Sequence, residues 1–176
     1  MKSEDIFNLV QSIHFLITVI LIPLVIWLFT MYKKITFTLK KDALLFTNLN
    51  RKIKIFYPSS DKTSLKIEFD EIKKTKIFNP EIPTSDLRDK NNIDSNSLVI
   101  IGYRNDNQND FFDIWNVAVS KKAPIIVYTY GDNNALDPIT KNRLSSEYQW
   151  YSIANVPMTL INNVFSILAT FPYDRK

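Results

Sequence analysis

The segment Ser97–Gly131 reads SLVIIGYRNDNQNDFFDIWNVAVSKKAPIIVYTYG, and its parts decide the fold. SLVIIGY, residues 97–103, is a continuous apolar run of the length of a strand buried on both faces. RNDNQND supplies a polar loop and several candidate helix N-caps. FFDIWNVAVSKKA places Phe111, Trp115 and Ala118 on one helical face, with Phe112 and Val119 beside them. PIIVYTYG is a second buried strand. Strand, helix and strand at this spacing form a βαβ unit, whose crossover is right-handed.

Toward the C-terminus, YQWYSIA predicts a third strand after a polar loop. Pro157 then opens a helix, PMTLINNVFSILATF, because proline is favoured in a first helical turn. Residues 97–176 therefore read as a βαββα Rossmann-like half. Residues 81–96 are polar and proline-containing and read as a connecting loop. Residues 33–80 alternate apolar and polar positions. ITFTLK, ALLFTN, RKIKIFY and SLKIEF predict an antiparallel β-meander, with Pro58-Ser59-Ser60-Asp61 as a turn. A helix through Leu65, Phe69 and Ile72 competes with the strand reading of SLKIEF.

Residues 13–32, IHFLITVILIPLVIWLFTMY, hold no charged side chain. About 20 helical residues cross the roughly 30 Å hydrocarbon core of a bilayer. Trp27 and Tyr32 suit the headgroup layer, and Lys33 and Lys34 follow at once. Lys33, Lys34, Lys40, Lys41, Arg51, Lys52 and Lys54 lie after the span, against Lys2 before it. The positive-inside rule then puts residues 1–12 outside and the C-terminal side in the cytoplasm, as a single-pass protein of the plasma membrane. A cleaved secretory signal fits less well, because the leading residues are acidic and MYKKITF offers no small-residue cleavage site. Pro23 predicts a kink, and His14 an interfacial imidazole. The expected fold class is one N-terminal transmembrane helix followed by a cytosolic α/β domain. That domain has a mixed sheet with a Rossmann-like βαβ core and the meander at its start.

Composition narrows the chemistry. Lys and Arg number 22 against 18 Asp and Glu, a net charge of +4. There is no cysteine, one histidine and two glycines, Gly102 and Gly131. Thiolate catalysis, zinc ribbons, histidine triads and glycine-rich phosphate loops are therefore absent from this sequence. No cofactor and no metal site is expected.

Three resemblances follow from particular residues. The run ending in FDEIKKTKIF resembles the meander of small bacterial pleckstrin-homology-like domains, which implies a scaffold. The 97–131 segment resembles TIR and nucleoside deoxyribosyltransferase-like domains, whose corresponding helix carries a catalytic Glu. Here Ile114 stands where that acid would be, with Asp113 adjacent, which implies a ligand-binding relative and not an enzyme. The layout of one anchor and one α/β domain is similar to membrane-anchored antiphage effectors, including CRISPR-associated ones with CARF domains. That resemblance implies a nucleotide second messenger such as cyclic oligoadenylate as ligand, a homo-oligomer, the lipid bilayer as the target in antiviral defence, and no DNA partner.

In open α/β sheets ligands bind beyond the carboxyl ends of the strands. That rule selects Arg104 for a phosphate, Asn105 and Asn155 for polar edges, and Thr129 and Tyr130 in the loop after the second strand of the βαβ unit. Tyr130 offers a ring to stack on a base. Ser59 and Lys62 form a further polar tip. Two other readings stay open. One is a nucleotide or NAD glycohydrolase using Asp106, Asp110 or Asp113, and the other an immunity-type module that binds a protein.

Overall fold

The computed structural model describes residues 3–57, 64–131 and 136–172. The chain divides into two compact units, Met1–Leu44 and Leu45–Lys176.

The first unit is helical. Helix α1 spans Ser3–Phe15, a π-helical turn Leu16–Leu21, and helix α2 Ile22–Leu49. Pro23 accounts for the π turn. Its nitrogen has no hydrogen and its ring crowds the carbonyl four residues back. The helix widens instead of breaking, and the Ile22 N–H reaches back five residues to the Ile17 carbonyl. Val10–Leu49, 40 residues of continuous helix, is long and apolar enough to cross a membrane. Several of its hydroxyls bond back to carbonyls one turn earlier, so they are satisfied without water. Ser12 donates to the Asn8 carbonyl at 2.9 Å, Thr30 to Ile26 at 2.7 Å and Thr36 to Tyr32 at 2.9 Å. His14 Nδ1 lies 3.1 Å from the Thr18 hydroxyl.

The helix does not stop at Lys33. ITFTLK and ALLFTN, expected as strands, continue α2 to Leu49. A helix already nucleated extends at small cost, and Leu, Lys and Ala between 39 and 45 are good helix formers. The Thr36 and Thr38 hydroxyls fold back onto the helix carbonyls, so the apolar–polar alternation has no sheet to serve.

The second unit is a doubly wound α/β fold. In order come β1 Lys52–Phe56, α3 Lys66–Lys74, β2 Asn79–Pro80, β3 Leu98–Gly102, α4 Gln108–Ser120, β4 Ile125–Tyr128, α5 Pro138–Glu147, β5 Tyr151–Ala154 and α6 Pro157–Thr170. The sheet order is β2-β1-β3-β4-β5, and every pair is parallel. The expected antiparallel meander is thus absent among the described residues, and the likeness to a pleckstrin-homology-like meander falls with it. SLKIEF lies largely in α3, because Leu65, Phe69 and Ile72 recur at helical spacing and two of them, Leu65 and Ile72, are buried. A further helix, α5, fills what reads as a polar loop. Only Thr140 and Leu144 of its residues are buried, so its apolar stripe is too thin to see in sequence.

Parallel sheets are covered on both faces. One face carries Ile53, Ile55, Leu98, Ile100, Ile126 and Tyr128 against Ile72 of α3 and Leu160, Val164 and Leu168 of α6. The other carries Phe56, Val99, Ile101, Ile125 and Val127 against Phe111, Ile114, Trp115 and Ala118 of α4 and Leu144 of α5. The βαβ unit at 97–131 and the helix opened by Pro157 stand as the sequence predicts.

At the β2 edge, Glu81 bridges Lys54 at 2.7 Å and Lys52 at 3.4 Å. Burial pushes the Glu81 carboxyl up, but hydrogen bonds and charges from Lys54 and Lys52 outweigh it and hold the group below its ordinary value. Pro80 and Pro83 sit on this edge, where a missing N–H leaves no ladder bond unmade.

Candidate ligand-binding site

The strand order reverses between β1 and β3. From β1 the chain crosses through α3 to β2 on one side, and from β3 through α4 to β4 on the other. The loops at the carboxyl ends diverge at this switch point, where open α/β sheets bind ligands. Tyr57 follows β1, Tyr103-Arg104-Asn105 follows β3, Thr129-Tyr130-Gly131 follows β4, and Asn155 follows β5. Arg104, Asn105, Thr129, Tyr130 and Asn155 therefore share one edge, on three neighbouring strands. Ser59 and Lys62 lie outside the described residues.

The five are not equivalent. Asn105 and Asn155 are exposed. Arg104 lays its guanidinium on Asp106, with Nε donating to Oδ1 at 3.0 Å and Nη2 to Oδ2 at 3.1 Å. This is the bidentate geometry that also fits a phosphate. Thr129 is 4% exposed, and its N–H extends the sheet ladder to the Ala154 carbonyl at 2.9 Å, which makes it a core residue. Tyr130 takes a left-handed φ of 54°, and Gly131 follows at 91°. A non-glycine residue in that region is strained and is held there by its surroundings. The Tyr130 ring meets Tyr128 edge to face, with centroids 5.2 Å apart.

Beneath the β3 loop, Tyr103 is fully buried. Its hydroxyl donates to Asp137 Oδ2 at 3.0 Å and accepts from Gln108 Nε2 at 3.2 Å. Burial raises the Tyr103 pKa. Asp137 caps α5 by accepting from the Thr140 N–H at 2.9 Å, and that backbone bond is the main cause of its lowered pKa. The network ties the β3 loop to the start of α5 and fixes the platform on which Arg104 stands.

Like the Tyr103–Asp137 network, another polar contact at this edge is not legible in the sequence. The Tyr128 hydroxyl donates to Glu68 Oε1 at 2.8 Å. Burial first, and then the Glu68 carboxylate, push the Tyr128 hydroxyl far above its ordinary value. Glu68 reads as a solvent-facing strand residue in SLKIEF, and only the helical register of α3 turns it toward β4.

The three acids of the hydrolase reading are dispersed. Asp106 is paired with Arg104, Asp113 with Lys90 at 2.9 Å, and Asp110 is half-buried in the first turn of α4. Ile114 is 4% exposed, inside the core. Among the described residues no three His, Cys, Asp or Glu side chains gather in a way that would hold a metal.

No family model matches the chain, and no curated protein does. Among solved structures, the chain is similar to the C-terminal domain of glucosamine-fructose-6-phosphate aminotransferase from Francisella tularensis, at 12% identity and a TM-score of 0.44. The match covers 75% of this chain and 38% of that one.

Proposed function

We propose that this chain is a membrane-anchored effector whose α/β unit binds a nucleotide-type second messenger at the carboxyl edge of its sheet. Cyclic oligoadenylate is the leading member of that class, and antiviral defence the setting. The observation that supports the reading is the shared edge at the strand reversal. There Arg104, Asn105, Tyr130 and Asn155 follow adjacent parallel strands. Phosphate competes for the guanidinium fork that Asp106 now occupies. The apolar helix anchors the chain in the plasma membrane. Lys33, Lys34, Lys40 and Lys41 keep the C-terminal side in the cytoplasm, where such a messenger is made. Coupling from ligand to bilayer runs through a homo-oligomer, since one helix per subunit encloses no pore.

Calorimetric titration of the full chain in lipid nanodiscs, with a panel of cyclic di- to hexanucleotides, tests this. One member is expected to bind saturably, and Arg104→Ala to weaken it by about tenfold or more, the loss of one charge-assisted contact. No heat with any member, from protein with a cooperative melt, overturns the reading.

A further inference from the structure

A second feature on the β1 side of the reversal carries its own ligand chemistry. A cleft of about 330 Å³ is lined by α3 and by the extended segment 82–83, among others by Tyr57, Lys66, Phe69, Asp70, Lys73 and Ile82. Lys66, Phe69 and Lys73 recur at helical spacing and so share one face of α3. The opposite wall is fixed by backbone bonds. The Glu81 N–H donates to the Ile53 carbonyl at 2.8 Å, Thr84 to Ile55 at 2.9 Å and Tyr57 to Thr84 at 3.1 Å. Ile82 stands at the lip with 81% of its surface exposed, an apolar side chain without cover among the described residues.

Many basic side chains of the unit lie against acids. Lys54 is paired with Glu81, Lys74 with Glu71, Arg88 with Asp86, Arg104 with Asp106 and Arg143 with Glu147. Lys66 and Lys73, like Lys76, Lys121, Lys122 and Lys141, make no salt bridge among the described residues, and the Lys73 ammonium sits 5.5 Å from the centre of the Phe69 ring. What sets Lys66 and Lys73 apart is that both line this cleft. They are seven residues apart, about 10.5 Å along the helix axis, which two long side chains close onto one phosphate. Asp70 lies between them on α3 and also lines the cleft, so the two ammonium groups face a single carboxylate and leave a net positive charge. The volume is at the small end of ligand pockets, which begin near roughly 300 Å³.

We propose that this cleft takes one nucleoside monophosphate unit, its base between Ile82 and the Tyr57 and Phe69 rings and its phosphate between Lys66 and Lys73. The proposal shares the ligand class of the proposed function but none of its residues. Adenosine supplies only the base, inorganic phosphate only the charge, and the cleft is built for both together.

The test is calorimetric titration of the full chain in zwitterionic nanodiscs with AMP, adenosine and inorganic phosphate. AMP is expected to bind saturably, and adenosine and phosphate each about tenfold more weakly or less. Lys66→Gln with Lys73→Gln is expected to weaken AMP by about tenfold or more. The control pair Lys74→Gln and Lys121→Gln, which removes the same charge, is expected to leave it within about twofold. Phe69→Leu, compared at matched melting temperature, separates lost stacking from lost fold. AMP binding that survives the loss of Lys66 and Lys73, or no AMP binding at all, overturns the proposal. If a cyclic oligonucleotide binds through Arg104 and ignores the two lysines, the cleft proposal falls while the proposed function stands. If neither AMP nor any cyclic oligonucleotide binds, both fall.

Discussion

The two units of this chain use the same apolar side chains in opposite ways. Along the first, large apolar residues from Val10 to Leu39 are 40–65% exposed. In β3 and β4 the same residue types are 0–3% exposed. The difference lies in run length. Five to seven apolar residues make a strand that flanking helices of the same chain can cover. An uncharged run of 20 residues lies instead in a helix that is long and apolar enough to cross a membrane and is 0% buried.

The largest expected effect breaks the first half of that contrast. Val25→Asp with Leu28→Asp puts two charges mid-span, at roughly 2.5–3.5 kcal/mol each for insertion. The wild-type chain should float with membranes in a density gradient after carbonate washing, and the double variant should not. Next comes a matched pair of tryptophans. Trp115 is fully buried and stacked on Phe111, whereas Trp27 is 57% exposed. Trp115→Ala should cost about 3–5 kcal/mol in urea unfolding of the α/β unit, followed in detergent-solubilised full chain. Trp27→Ala should cost under about 0.5 kcal/mol in the same transition. Equal losses would mean that the two regions do not differ as described.

The smallest effect concerns acid. Glu81 has a lowered folded pKa, so its contribution to stability is present above the ordinary glutamate pKa and is lost as pH falls through the folded value. Melting temperature should therefore fall more steeply for wild type than for Glu81→Gln between about pH 5 and pH 3, and the two should converge below that window. Parallel slopes would show that the Lys54–Glu81–Lys52 bridge adds nothing measurable.

Legibility followed the length scale of the signal. The βαβ unit at 97–131 and the helix after Pro157 are readable because each apolar run or stripe is complete within its own element. ITFTLK is ambiguous, since Ile35, Phe37 and Leu39 alternate like a strand while the helix before them decides the outcome. α5 hides because it buries only two residues. At the candidate site, polar residues between apolar runs mark the loops well. What each side chain does there is set by partners the runs do not reveal. Arg104 turns to Asp106, Thr129 joins the ladder, and Glu68 meets Tyr128 across 60 residues only because β4 lies two strands from β1.

The π turn before Pro23 has a geometric consequence. An α-helix advances roughly 100° per residue, and a wider turn advances less. Side chains on the two sides of Leu16–Leu21 are therefore out of phase with a single continuous stripe. A neighbour lying along this helix would meet one face over Ser3–Phe15 and a rotated one beyond Ile22, like a key whose second set of teeth is cut on another side. Deleting one residue within Leu16–Leu21 should bring the two sets back into line.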